Sequence, residues 1–198
     1  GRNGVGKSTL MKNIVGLLRA SNGTIQLGDT DITSLPANKR AHAGLGYVPQ
    51  GRQIFSKLTV HENLRVGLQA RCDGLKTIPE EIYSLFPVLK EMGKRRGGDL
   101  SGGQQQQLAI GRALVGDPKV LVLDEPTEGI QPNIIQQIGK VLRELVENRQ
   151  ITVVLVEQYL DFVREFGHDF YIMDRGMVME SGVTQQLSDE MVQAHLSV

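Results

Sequence analysis

The chain has 198 residues, 40% of them hydrophobic, and its 22 Lys+Arg are balanced by 22 Asp+Glu. That length allows one domain, or one domain with an inserted subdomain, and that apolar content suffices for a buried core. Zero net charge lacks the electrostatic footprint of a nucleic-acid binder, no run reaches the length of a membrane span, and no signal peptide is visible. The single Cys72 excludes an internal disulfide and reads as a semi-buried small side chain in a reducing compartment.

The chain opens GRNGVGKST, and Gly1 to Ser8 fits G-x-x-x-x-G-K-[ST]. Such a match arises by chance in roughly one chain in a hundred of this size. Its chemistry is specific. Glycines let successive N–H groups converge on one anion, Lys7 would reach the β- and γ-phosphates, and Ser8 would offer its hydroxyl to Mg²⁺. Gly1, Arg2, Asn3, Gly4, Val5, Gly6, Lys7, Ser8 and Thr9 are thus candidates for holding phosphate. Leu10, Ile14, Leu17 and Leu18 recur at helical spacing, so a helix should begin here with its positive end toward the anion. A strand should feed the loop. It would precede Gly1, beside the strand at 120–123, and without it the chain is expected to be unstable or to bind ATP poorly.

Downstream, short apolar runs alternate with amphipathic stretches, the pattern of a mainly parallel sheet covered by helices. Strands are expected at Thr24–Leu27, Leu45–Val48, Val120–Leu123, Ile151–Val156 and Phe170–Met173. A hairpin strand Met177–Glu180 should follow the turn at Asp174-Arg175-Gly176. The clearest helix is 131–148, with Ile134, Ile135, Ile138, Val141, Leu142 and Leu145 in one stripe. From Leu58 to Gly98 the spacing is helical, over Val60–Ala70 and Ile78–Lys90, and Glu91–Asp99 reads as a surface loop. Residues 1–57 and 113–198 are therefore assigned to an α/β core and 58–112 to an inserted helical subdomain. Further crossover helices are the plainer alternative.

Two later phrases carry chemistry. Lys119–Glu125 reads KVLVLDE, a buried strand with two carboxylates at its C-terminal end, where α/β sheets place ligands. Asp124 would hold Mg²⁺ and Glu125 would polarise an attacking water, as phosphoryl transfer requires. An ordinary helix cap would explain an Asp-Glu pair standing alone. Leu100–Gln104 reads LSGGQ, in which Ser101 is a natural N-cap and Gly102-Gly103 leaves backbone N–H groups bare before a helix running to Val115.

Together GRNGVGKST, YVPQ (Tyr47–Gln50), LSGGQ and VLVLDEP resemble the nucleotide-binding subunits of ATP-binding cassette (ABC) transporters, across the whole chain and in the family's order. The resemblance implies a P-loop NTPase fold of RecA-like type, ATP and Mg²⁺ as ligands, and a dimer in which Ser101, Gly102, Gly103 and Gln104 close over ATP on a second subunit. It gives Gln50 a contact to Mg²⁺ and to the attacking water. It places Gln158 where the family carries a switch histidine. An amide can sense a γ-phosphate there but cannot carry a proton as imidazole can. Glu128-Gly129-Ile130-Gln131 departs from the usual D-loop, Gln107 replaces a common Arg, and Gln105, Gln106 and Gln107 are expected to face solvent or an interface. His168 and His195 read as surface or capping residues.

YVPQGRQIF, DEPTEGIQP and LVEQ resemble the branched-chain amino acid importer group and, within it, the urea-type ATPases. The implied partners are a second ATPase subunit, the same chain or a sister, two transmembrane permease subunits and, indirectly, a solute-binding protein. The implied place is the cytoplasmic face of a bacterial membrane, peripherally bound. The family's adenine-stacking aromatic would precede Gly1. A soluble ABC ATPase of translation or DNA repair, a non-catalytic fragment and a generic P-loop kinase stay open as alternatives.

Overall fold

A computed structural model describes residues 4–196, with side chains through Ala194, so Gly1, Arg2, Asn3 and the His195 side chain lie outside the described residues. The first half holds α1 (Lys7–Ile14), β1 (Gln26–Leu27), β2 (Thr30–Asp31), α2 (Ala37–His42), β3 (Leu45–Val48), α3 (Val60–Gly67), α4 (Glu80–Leu85) and α5 (Pro87–Glu91). The second half holds α6 (Gly102–Val115), β4 (Val120–Asp124), α7 (Pro132–Arg149), β5 (Thr152–Val156), α8 (Leu160–Phe166), β6 (Asp169–Asp174), β7 (Met177–Val183) and α9 (Asp189–Leu196). No helix among the described residues is long and apolar enough to cross a membrane.

The centre is a parallel sheet in the order β3-β4-β5. Side chains alternate across a strand, and β4 uses both faces. Leu121 and Leu123 enter the larger core with Ile138 and Leu145 of α7 and Leu108 of α6. Val122 enters a smaller core with Met11 of α1, Ile32, Leu45 and Val156. A strand covered on both faces reads as a continuous apolar run, which is what VLVL is. Because β3 and β5 occupy both edges of β4, a further strand cannot pair there. The expected neighbour beside residues 120–123 is therefore corrected; among the described residues the open edges are the far sides of β3 and β5.

Other expectations shift for local reasons. The stretch 24–27 narrows to β1 and pairs antiparallel with β2, apart from the main sheet. The helix expected over 78–90 is two, because Pro87 pushes the preceding Phe86 to φ −134 and opens the turn between α4 and α5. The helix expected to Ala70 ends at Gly67 and tightens into a 3₁₀ turn over Leu68–Ala70. The stripe expected on α1 fails: the helix stops at Ile14, Leu10, Leu17 and Leu18 are exposed, and Met11 and Val15 supply the buried contacts. Cys72 is exposed rather than semi-buried. The hairpin β6–β7 forms across the expected turn and touches the phosphate loop through Gly176 N–H, which donates to the Val5 carbonyl at 2.8 Å.

α1 is fixed from behind by Arg40, a guanidinium only 2% exposed. It donates to the carbonyls of Asn13 and Ile14 at 2.7 Å and of Leu35 and Thr33 at 2.8 Å. The last helix carbonyls have no intrahelical donor, so this cation caps them and meets the negative end of the helix dipole. Gly16 makes room: at φ +81 a Cβ there would sit 2.9 Å from Arg40 Nε.

Residues 58–112 carry helices, 3₁₀ turns and one isolated bridge, Thr59 to Arg96. α3 starts with a capping box, Thr59 accepting from Glu62 N–H while the Glu62 carboxylate accepts from Thr59 N–H. Asn63, fully buried, receives Phe55 N–H at 2.9 Å and donates to the carbonyls of Phe55, Leu58 and Thr59. One amide thus holds the loop that leaves Gln50 against α3.

Candidate functional site

α1 begins at a glycine turn. Gly4 and Gly6 have φ +79 and +104, a region in which a Cβ is strained, and Gly6 caps the helix without a side chain. Lys7 is only 9% exposed. Burial lowers its pKa, opposed by the charges of Glu125, Asp124 and Glu157, so its ammonium lies in a field of three carboxylates. Ser8 hydrogen-bonds Asp124, and Thr9, next in the helix, is exposed.

Asp124 is 3% exposed and its Oδ1 has no hydrogen-bond partner among the described residues. Burial pushes its pKa up, the Ser8 bond pulls it down, and the Glu125 charge adds to the rise. Buried polar atoms are nearly always satisfied, so an orphan carboxylate oxygen beside a hydroxyl marks room for a cation. Among the described residues no three His, Cys, Asp or Glu cluster into a protein-only metal cage. That fits Mg²⁺, which takes one or two carboxylates and fills its other positions with water and substrate phosphates.

Parallel register brings three strand ends to one edge. β3 ends at Val48 before Pro49-Gln50, β4 at Asp124 before Glu125, and β5 at Val156 before Glu157-Gln158, with Val48 opposite Leu123 and Asp124 opposite Val156. Glu125 lies between two amides. Gln158 Nε2 donates to its Oε1 at 2.6 Å, and Gln50 Nε2 donates to its Oε2 at 3.1 Å. Glu125 takes φ +50, uncommon for a residue with a side chain, and is held there by its N–H donating to Val156 O at 2.9 Å. Both carboxylate oxygens are thereby aimed, each with a lone pair left to accept from water.

Glu157, which sequence reasoning passed over, organises this edge. Its Oε1 accepts from Thr127 N–H at 3.0 Å and Thr127 Oγ1 at 2.6 Å, and its Oε2 accepts from the N–H groups of Gln158 and Tyr159. One carboxylate therefore fixes the loop after β4 to the loop after β5. Its only sequence signal is an acidic residue directly after a buried strand, the signal that did reveal Asp124 and Glu125.

Ser101 caps α6 in a capping box with Gln104. Among the described residues, these two stand outside the network around Glu125. Gly102 faces the Arg52 guanidinium, 3.3 Å from where a Cβ would lie, and Arg52 Nη2 donates to Glu128 O at 3.0 Å. The expectation that Gln105–Gln107 face solvent or an interface is overturned: Gln106 and Gln107 are 3% and 5% exposed. Gln107 donates to Gln137 of α7 at 3.2 Å, and Gln105 donates to Leu100 O at 3.1 Å. α6 packs between α3 and α7, so no face of its first turns is free for three solvent-facing glutamines. Further along α6, Arg112 donates to Gln53 O at 2.9 Å and lies over the Phe55 ring. His168 is exposed, as expected for a surface residue.

A family model described as ABC transporter matches residues 1–128. The high-affinity branched-chain amino acid transport ATP-binding protein BraG of Pseudomonas aeruginosa is 39% identical over 180 residues, 90% of this chain and 77% of that protein. The probable branched-chain amino acid transport ATP-binding protein LivF of Archaeoglobus fulgidus is 37% identical over 188 residues, 94% of this chain and 80% of that protein. Among solved structures, a dimeric post-hydrolysis state of the ATP-binding cassette MJ0796 with ADP and Pi superposes with a TM-score of 0.83 at 26% identity, over 93% of this chain and 83% of that one. On the fold, the glycine turn before Lys7 and these matches, the chain belongs to the ABC transporter family as one of its ATP-hydrolysing, ATP-binding domains.

Proposed function

We propose that this chain is the nucleotide-binding subunit of an ABC importer that works as a dimer. The observation that carries the reading is the convergence of the Gln50 and Gln158 amides on Glu125, beside the Lys7, Ser8 and Asp124 cluster. Lys7 neutralises phosphate oxygens; burial lowers its pKa and its three carboxylate neighbours oppose that fall. Ser8 and Asp124 would hold Mg²⁺, which would neutralise phosphate charge in the site. Glu125 orients a water for in-line attack on the γ-phosphate. Gln158 holds one oxygen of Glu125 and senses the γ-phosphate. Gln50 holds the other and offers its carbonyl to the metal side. Gly4 and Gly6 turn the backbone toward the phosphates; the other sequence candidates Gly1, Arg2 and Asn3 lie outside the described residues.

Ser101 to Gln104 present a helix N-terminus, suited to the phosphates of a nucleotide held by a second subunit. The dimer of the similar cassette MJ0796 supports that arrangement. Two permease subunits would dock on the helical segment and place the chain peripherally on the membrane's inner face. The names of the two relatives favour branched-chain amino acids as the solute over urea or short amides.

Hydrolysis by the Glu125→Gln variant is expected to fall on the order of a thousandfold, the middle of the range for a lost proton-handling group, while ATP-dependent dimerisation persists. Sedimentation with ATP and a phosphate-release assay read both, and wild-type turnover in the variant rejects the assignment. Uptake in vesicles with co-expressed permeases, competed with leucine or urea, decides the solute. ATPase activity that no permease stimulates would favour a soluble, transport-independent ATPase.

A further inference from the structure

Glu128 is an exposed residue in the loop 125–131, whose other charged side chain is Glu125. Its Oε2 accepts from Gln50 Nε2 at 3.1 Å, and the same nitrogen donates to Glu125 Oε2 at 3.1 Å. A primary amide carries two N–H hydrogens and one carbonyl at nearly isosteric ends. Here both hydrogens are committed to carboxylates, and neither carboxylate can accept the carbonyl end. Gln50 Oε1 is therefore the end turned away from Glu125 and Glu128.

The surrounding backbone is built to keep this geometry. Glu128 N–H donates to Glu125 O at 3.3 Å, closing a tight turn that brings the two carboxylates together. On the other side, Arg52 and Gln53 take φ +68 and +44 and are clamped, Arg52 by its bond to Glu128 O and Gln53 through the bond its carbonyl accepts from Arg112. Two consecutive residues with side chains in this region signal strain that the surroundings must over-determine. The strained segment begins two residues after Gln50, so the amide's position is set from both ends.

We infer that Glu128 is a positioning residue that selects which end of the Gln50 amide faces the catalytic pocket. In a Glu128→Gln variant the new amide N–H can donate to the Gln50 carbonyl, so Gln50 can rotate by a half turn, giving up its bond to Glu125 and turning its N–H groups toward the metal side. This rests on the proposed roles of Gln50 and Glu125. A residue that merely shapes the loop would act on folding and on nucleotide binding alike, whereas an orienting residue acts only through Gln50.

The test is a double-mutant cycle of Glu128→Gln and Gln50→Ala in the full chain, with Glu125→Gln run in parallel. In Glu128→Gln, kcat is expected to fall about tenfold, the scale of one charge-assisted hydrogen bond, with the thermal midpoint of the nucleotide-free protein moved by less than about 1 °C as for a surface substitution. Calorimetry should show the gain in ATP affinity on adding Mg²⁺ reduced about fivefold, a fraction of that bond, while affinity in EDTA is unchanged. Both effects should vanish in the Gln50→Ala background, because contacting residues couple and independent ones add. Equal losses in both backgrounds, or wild-type behaviour of Glu128→Gln, overturn the inference. Turnover surviving in Glu125→Gln would instead overturn the site reading beneath it.

Discussion

Two buried polar residues treat their hydrogen-bonding capacity in opposite ways. Asn63, in the helical segment, is fully buried and answers one backbone N–H and three backbone carbonyls. Asp124, at the sheet edge, is 3% exposed and leaves Oδ1 without a partner among the described residues. The same split appears in cations. Arg40 gives four bonds to carbonyls, whereas Arg112 keeps Nη1 buried with no partner among the described residues. A satisfied buried group holds backbone in place. An unsatisfied one costs folding energy and persists where a ligand or a movement uses it.

Substitutions can sharpen that contrast, beginning with the largest effect. Asp124→Asn should lower hydrolysis on the order of a thousandfold by removing a charge that complements the metal. The same change should stabilise the metal-free fold. Burial raises the folded-state pKa of Asp124 above its unfolded value. Its contribution is therefore fully present below the unfolded pKa and is lost as pH rises through the folded one. At neutral pH the amide relieves that cost, so the variant should melt above the wild type. Melting curves of both proteins from pH 3 to 8 check this: a gap that widens toward neutral pH agrees, and a destabilised variant at pH 7 contradicts it.

Arg40→Ala removes a satisfied cation and strands the α1 carbonyls, for an expected loss of about 3 kcal/mol in urea unfolding. Asn63→Ala should cost about 2 kcal/mol by the same measurement and leave the chemistry at Glu125 intact once folded. A near-zero cost for either would show that water replaces those donors. Lys90→Ala is the floor of the series. Its pairing with Glu80 is exposed on both sides, and its removal should change stability by less than about 0.5 kcal/mol.

Motifs with fixed internal spacing were legible because local chemistry dictates them. Gly6 and Lys7 announce a glycine turn into a helix, Ser101 announces a helix cap, and both form. Asp124 and Glu125 were found through the apolar run before them, since a strand buried on both faces needs VLVL whatever surrounds it. Pairings between distant segments were not legible. Glu157 and Arg52 act on loops 30 and 76 residues away, and nothing in the phrases that hold them names those partners. The glutamines Gln105–Gln107 misled, since polarity suggests solvent when no packing is known.

By itself, then, the sequence determined the alternation of strands and helices, the phosphate turn and the identity of the carboxylates, because these follow from periodicity and backbone conformation within a few residues. Only the tertiary structure decided that β4 is flanked on both sides. Only it placed Gln50, Glu125 and Gln158 on one edge, and set two carboxylates on a single amide. Strand order and register are long-range choices, made by which faces bury together, and no local pattern in the chain records them.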